Sequence, residues 1–309
     1  MRPTRSLPAL ACSLLLAVSA CSSAPAASDT VSTTKTQAAQ DSSYGEAYLH
    51  QGRYELALQF YTQSLNEYTS VDDRDGVVQS YNAIGTTYLA MGSLDKAEEV
   101  LVRARSLSRN AGAPLLTVSS INLGELYLAK GSSQQALDVL QEALGLPVAS
   151  RTPAQTAVLY HDLGTAQRDL GDAAKALESY SFSLDANLKA KRTEMAAADY
   201  YMIASVHSRE GRFDEAEKNA SLALEMDKKI ESSPGIAKDL YALGLISVKR
   251  KDMAAAYDYF QRSYYVNVTL GFTSEMKKAL TGLISAADAL GMTADAATYR
   301  KTLADLGSS

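Results

Sequence analysis

Seven alanines recur at an almost constant interval along this chain. Ala57, Ala97, Ala136, Ala176, Ala216, Ala256 and Ala296 stand 40 residues apart, once 39. In six of the seven units a glycine lies five residues earlier, at Gly52, Gly92, Gly131, Gly171, Gly211 and Gly291. A length of 309 residues fits either two ordinary domains or one elongated array. A phase held this strictly selects the array, in which equal units stack and each buries its apolar face against its neighbours.

A second small residue recurs upstream in each unit as Gly45, Gly85, Gly124, Gly164, Ala204 and Gly244, preceded by Tyr44, Ile84, Leu123, Leu163, Ile203 and Leu243. Glycine inside a helix costs about 1 kcal/mol relative to alanine, so repeating it at one phase needs a reason. Close crossing of two helices supplies one, with the recurrent alanine expected to serve the same contact from the other side. The later glycine suits a left-handed helix end, and Ser93, Ser132, Asp172 or Asp252 follows in a slot that can cap a second helix. Pro114, Pro153 and Pro234 stand just before further apolar-periodic segments, where a missing amide donor is tolerated, and Thr152 and Ser233 precede two of them. The acidic pair Asp72 and Asp73 falls between helices, a capping position. The unit therefore reads as helix, glycine turn, helix.

Gly85, Tyr88, Gly92, Leu94, Ala97, Leu101 and Ala104, and again Gly124, Tyr127, Gly131, Ala136, Leu140 and Ala143, give a signature that resembles the tetratricopeptide repeat. The resemblance covers residues 44–306. It implies an all-α, right-handed superhelical solenoid of about seven 40-residue helix-turn-helix repeats. The family's common length is about 34 residues, so a 40-residue period implies helices about three residues longer, as in the subclass that includes kinesin light chains. Tyr81, Tyr160 and Tyr200 fill the family's Trp slot, Lys251 replaces the turn glycine of the sixth unit, and Ile284 stands where the seventh should be small. That last unit reads as a cap.

The resemblance also implies that first helices line a concave groove. On that basis Asn82, Asn122, Glu125, His161, Arg168, Tyr201, Lys238 and Tyr241 are the candidate groove and peptide-binding residues. Tyr201 and Tyr241 precede Ala204 and Gly244 by three residues, while Tyr44, Tyr48, Tyr61, Tyr81, Tyr88, Tyr127, Tyr160, Tyr180 and Tyr200 fall at core slots. Asparagine can pair with both donor and acceptor of an extended peptide backbone. The family's carboxylate clamp would need Lys three residues before the small residue and Asn one after it. The slots instead read Ser42 and Glu46, Asn82 and Thr86, Ile121 and Glu125, His161 and Thr165, Tyr201 and Ser205, and Tyr241 and Leu245.

The N-terminus has the layout of an export signal: Arg2 and Arg5, a mostly apolar stretch over 7–18, then Ser19 and Ala20 before Cys21. About a dozen apolar residues fall short of the ~20 a spanning helix needs. Val18, Ser19, Ala20 and Cys21 resemble a bacterial lipobox. Residues 1–20 are thus expected to be a lipoprotein signal peptide and Cys21 the lipidation site, several acyl chains giving stable attachment. Ser22 in place of Asp implies the outer membrane, facing the periplasm. Residues 22–43, rich in Ser, Ala and Thr, read as a flexible tether spanning roughly 25 Å, so that 21–43 joins the anchor to a solenoid over 44–309.

Composition narrows the function. Hydrophobic residues make up 46% and charged residues 21%, as in a folded protein. The net charge of -5 becomes -7 when Arg2 and Arg5 are removed with the signal, and there is no basic stripe, so nucleic acid is not an expected partner. Cys12 and Cys21 both precede the body, and His50, His161 and His207 are far apart without ligand spacing, which excludes a disulfide framework and makes a metal site unexpected. No phosphate loop, His-Glu-x-x-His or nucleophile elbow occurs, so neither a cofactor nor catalysis is expected. The expected role is a membrane-anchored protein-interaction scaffold of the bacterial cell envelope, bound through its lipid anchor and receiving another envelope protein or a peptide. Two alternatives are a pilotin-like assembly factor for a secretin or type IV pilus complex and a peptide-sensing receptor.

Overall fold

The structure, a computed structural model, describes residues 27–307. Its regular elements are fourteen α-helices and one 3-10 turn at Val148–Ser150, with no strand among the described residues. The helices pair as α1 (Ala27–His50) with α2 (Tyr54–Ser70), α3 (Arg74–Ala90) with α4 (Leu94–Ser108), α5 (Ala113–Ala129) with α6 (Ser133–Gly145), and α7 (Pro153–Asp169) with α8 (Ala173–Lys189). Three further pairs follow: α9 (Thr193–Arg209) with α10 (Phe213–Lys229), α11 (Ser233–Lys249) with α12 (Met253–Leu270), and α13 (Thr273–Ala289) with α14 (Thr293–Gly307). Seven units of two helices match the phase of the seven alanines. None of the described helices is long and apolar enough to cross a membrane.

Each helix packs on its neighbours in sequence, and contacts do not reach across the array. First helices also touch one another directly, α3 to α5 and α5 to α7 broadly, then α7 to α9, α9 to α11 and α11 to α13 more sparsely. No comparable contact joins successive second helices. The first helices therefore form the inner wall and the second helices a splayed outer one, which is the geometry of a curved solenoid.

The recurrent internal glycine makes the close crossing that its phase predicts. A Cβ at Gly45 would lie 2.7 Å from Tyr61, at Gly85 2.4 Å from Leu101, at Gly124 2.6 Å from Leu140, at Gly164 2.8 Å from Tyr180 and at Gly244 2.6 Å from Phe260. The partner is always sixteen residues on, four beyond the ruler alanine. The atoms nearest the glycine belong to that partner. The alanines are fully buried at the start of the second helix. Unit five shows the rule by exception, since Ala204 in the glycine slot faces a chain whose sixteenth residue is Ala220, also fully buried.

The turn glycines adopt the left-handed conformation throughout, with φ from 70° to 86° at Gly52, Gly92, Gly131, Gly171, Gly211 and Gly291, and Lys251 takes the same shape at 64°. In the following slot only the carboxylates cap. Asp172 accepts from the Lys175 amide and Asp252 from the Ala255 amide, whereas Ser93 and Ser132 make no side-chain cap bond. Asp73 caps α3 through the Gly76 amide, Thr152 forms a capping box with Gln155, and at α11 it is Ser232 that accepts from Gly235.

Two expectations need correction at the N-terminal end. The expected tether is helical from Ala27 onward, and its residues 22–26 lie outside the described part. α1 is held because it has partners: Ala38 and Asp41 are buried, Ser42 Oγ lies 2.8 Å from Ser64 Oγ, and Lys35 pairs with Asp73 at 2.8 Å. Tyr44, placed at a core slot, is 45% exposed, leaning its ring on Phe60 and accepting from Gln40 Nε2 at 2.8 Å. Residues 1–26, with Cys21 and the signal, also lie outside the described residues.

Candidate functional site

Because the first helices alone make the inner wall, side chains at one slot of each first helix come into line. Three residues before the small residue, the slot holds Asn82, Ile121, His161, Tyr201 and Tyr241. The candidate residues fall into two clusters along this wall.

The first cluster spans α3, α5 and α7. Asn82 is buried and donates through Nδ2 to Ser119 Oγ at 2.9 Å, while its Oδ1 accepts from Asn122 Nδ2 at 3.3 Å. Asn82 is therefore a structural strut between units. Glu125 and Asp162 follow on the next two helices. Burial pushes the Asp162 carboxyl up to about 7, the nearby Glu125 adds to this and His161 opposes it. Glu125 is raised by the same loss of hydration although water can touch it. A concave wall has this effect, because it admits water while surrounding the group with protein atoms.

His161 stands at the end of that cluster. Its Nδ1 lies 2.7 Å from Asp199 Oδ1, and its ring sits edge-on to Tyr180 at 5.5 Å. The other Asp199 oxygen accepts from Ser183 Oγ and Asn187 Nδ2, each at 2.8 Å. The aspartate, not the histidine, is central here, so serine and imidazole never meet and no nucleophile is activated.

The second cluster spans α7 to α13 and opens into a cleft of about 440 Å³ lined by Tyr201, Pro234, Lys238, Tyr241, Phe272 and Lys278 among others. The Lys238 ammonium sits 3.8 Å from the centre of the Tyr201 ring. Desolvation lowers its proton affinity, and Asp239 and Asp227 partly restore it from behind the wall. Asp239 is buried with its carboxyl facing Asp227 and is pushed up to about 8, desolvation being the main cause and the second acid the next. Tyr201 feels Asp239, Arg168, Tyr241 and Lys278. The structure thus brings Arg168, Tyr201, Lys238 and Tyr241 into one neighbourhood. Arg168 is itself tied to Asp169 at 2.8 Å and to the Met202 sulfur at 3.5 Å.

Asp162, Phe272, Asn267, Glu275 and Lys278 were not among the sequence candidates. For Lys278 a signal existed, since it stands one 40-residue period after Lys238. Phe272 had none, because it belongs to a turn outside the repeat signature. Among the described residues no three His, Cys, Asp or Glu side chains gather as metal ligands would.

A solenoid of stacked helical hairpins with a lined inner groove defines a helical-repeat protein. Family models of the tetratricopeptide repeat match residues 36–110 and 201–267, so these two segments are similar to that repeat, and helical pairs continue between and beyond them. Among solved structures, the apo form of RapI is similar at a TM-score of 0.67 and 12% identity, covering 87% of this chain and 97% of that one. BtubC from P. vanneervenii matches at a TM-score of 0.58 and 15% identity, over 77% and 92%. A Rap protein complexed with competence and sporulation factor matches at 0.61 and 13%, over 91% and 79%. At these identities the likeness concerns the fold. No curated protein matches the sequence.

Proposed function

We propose that this chain is a protein-interaction scaffold of the bacterial cell envelope, anchored by a lipid on Cys21, whose concave wall receives another envelope protein or a peptide. The observation that carries this reading is the alignment of one slot from successive first helices into an inner wall, where His161, Tyr201 and Tyr241 remain partly exposed and Tyr201 and Tyr241 line a cleft. Tyr201, Tyr241 and Lys238 hold hydrogen-bonding groups there that no described residue engages at hydrogen-bond distance. The tetratricopeptide repeat matches support it. The anchor rests on the lipobox-like residues Val18, Ser19, Ala20 and Cys21, and the outer membrane on Ser22.

A photo-crosslinking residue at Asn122, Tyr201 or Tyr241 in the full chain in cells should capture a polypeptide, while one at Phe182 or Tyr265 on the second helices should not. Equal capture from both faces, or from neither, would refute the groove. Cys21→Ala should abolish recovery in the membrane fraction. Retention of that variant with membranes would refute the anchor.

A sensing role for the same groove has one observation in its favour. The inner wall is tight from α3 to α7 and sparse from α7 to α13, and the fold is shared with a Rap protein solved with competence and sporulation factor. A ligand seated in the sparse half could change curvature. Small-angle scattering that shows no change in the radius of gyration on adding a captured ligand would remove this reading.

A further inference from the structure

We propose that the half of the groove between α7 and α13 binds an extended acidic segment of a partner protein, one carboxylate lying between Lys238 and Lys278 beside the Tyr201 and Tyr241 rings. This rests on the groove reading above and adds the chemistry of the occupant.

The charge balance of this half runs against that of the chain. The whole protein is net negative, yet Arg168, Lys238 and Lys278 converge on Tyr201, whose phenol senses two of them directly. Their counter-charges are few. Asp169 holds Arg168 and Glu275 holds Lys278, each at 2.8 Å. Lys238 has no carboxylate within salt-bridge distance among the described residues, and its close neighbour is an aromatic face. The two acids behind it are not within salt-bridge distance, and burial together with Asp227 disfavours the charged form of Asp239. A desolvated ammonium with unused donors favours a carboxylate, and charge-assisted bonds in such a site are the strong ones.

The occupant is a segment, not a single ion. A second cleft of about 310 Å³ adjoins the first across Tyr201 and runs along α9 and α11 to Arg209 and Lys249. Basic groups therefore line the two clefts on three successive first helices, α9, α11 and α13, with Arg168 of α7 near Tyr201. The walls between them are apolar and aromatic: Pro234, Tyr241 and Phe272, the last 45% exposed, beside the first cleft, and Leu245, 43% exposed, beside the second. In the floor of the first, Asn267 uses its Nδ2 on Ser263, and no described residue donates to its Oδ1, which can take a backbone N–H. Alternating carboxylates and apolar side chains on an extended backbone fit these features together.

The test uses the full chain in detergent micelles and four fluorescein-labelled decapeptides, three of them C-amidated. One is built of Glu, Asp and Leu, one of Gln, Asn and Leu, one of Lys and Leu; a fourth repeats the neutral sequence with a free C-terminal carboxylate. The acidic peptide should bind at least about tenfold more tightly than its amide isostere, about 1.4 kcal/mol, and lose affinity as salt rises. Lys238→Gln and Lys278→Gln should each weaken it several-fold with the helical signal unchanged. Glu275→Gln should strengthen it several-fold by freeing Lys278, a gain that misfolding cannot produce. Equal binding of the neutral or Lys-containing peptide would overturn the proposal. So would a free terminus matching the acidic peptide, which would mark a site for chain ends. If groove crosslinks capture polypeptides but acidic preference is absent, the inference fails and the groove reading stands. If they capture none, the groove reading has failed first.

Discussion

Asp199 and His161 meet across the junction of the fourth and fifth units, 2.7 Å between Oδ1 and Nδ1. Asp199 is fully buried, and its second oxygen takes bonds from Ser183 and Asn187 on the intervening helix. One carboxylate thereby ties together α7, α8 and α9. Asp199→Ala strands the buried Ser183 and Asn187 donors and should cost about 3 kcal/mol, the upper end for such groups. His161→Ala should cost under about 1 kcal/mol, because the imidazole is 31% exposed and water can replace it. Urea unfolding of both variants decides, and an equal or reversed order would disprove the central role of the aspartate.

Adding a methyl group at the crossing glycines should be felt sharply. Gly164→Ala places a carbon 2.8 Å from the Tyr180 ring and Gly244→Ala 2.6 Å from Phe260. Each should destabilise by about 1–3 kcal/mol through overpacking. Gly244→Ala combined with Phe260→Ala should cost less than the sum of the single changes, since it recreates the Ala204 and Ala220 arrangement. A double-mutant cycle measured by thermal unfolding tests this, and strict additivity would contradict it.

Stability should fall as pH rises through neutrality, in part through Asp239. Its folded-state proton affinity, raised to about 8, lies well above that of an unfolded aspartate near 3.9. The folded state therefore binds the extra proton between those values. This contribution is fully present below about pH 4 and is lost as pH climbs through about 8. Asp239→Asn keeps the shape and removes the titration. It should raise the melting temperature at pH 9 by roughly 2–4 °C, about 1 kcal/mol in a chain of this size, and leave it nearly unchanged at pH 4.5. An equal shift at both pH values would refute the assignment.

The turn of the sixth unit holds Lys251 at φ 64°, a shape that costs a side-chain-bearing residue roughly 1 kcal/mol. Lys251→Gly should stabilise by about that amount, and Gly211→Ala should destabilise by a similar one. Differential scanning calorimetry of the two variants should show shifts of opposite sign. Shifts of the same sign would show that the turn does not control either.

The phase of the glycines and alanines made the seven helical pairs legible, because both residues answer to backbone demands that recur in every unit. What phase could not show was which residue fills the space above each internal glycine. The partner lies four positions past the ruler, and its identity varies among Tyr, Leu, Phe and Ala, so no constant letter marks it. The helix from Ala27 was missed for a different reason. Its Ser, Ala and Thr content reads as linker, and it is Lys35, Ala38 and Asp41 meeting α2 and α3 that hold it. In the groove, Arg168, Tyr201, Lys238 and Tyr241 were readable from their slots and do share a neighbourhood. Asn82 reads as a ligand residue by type but is fastened to Ser119 and Asn122, a fact that depends on helix spacing. Phe272 and Asn267 enter only because α12 and α13 bring a turn and a helix floor against the same cleft.

The exchange of volume between Ala204 and Ala220 has a consequence for how such a chain can change. At each crossing, the residue sixteen places on sets what the small slot can hold, so the two behave as one letter written with two strokes. The spellings Gly with Phe and Ala with Ala both close the gap. Altering either stroke alone leaves a collision or a hollow. A path between the two spellings must therefore cross a poorer intermediate, and where Phe260 also presses on Gly282 of the next unit the spelling is shared with that neighbour.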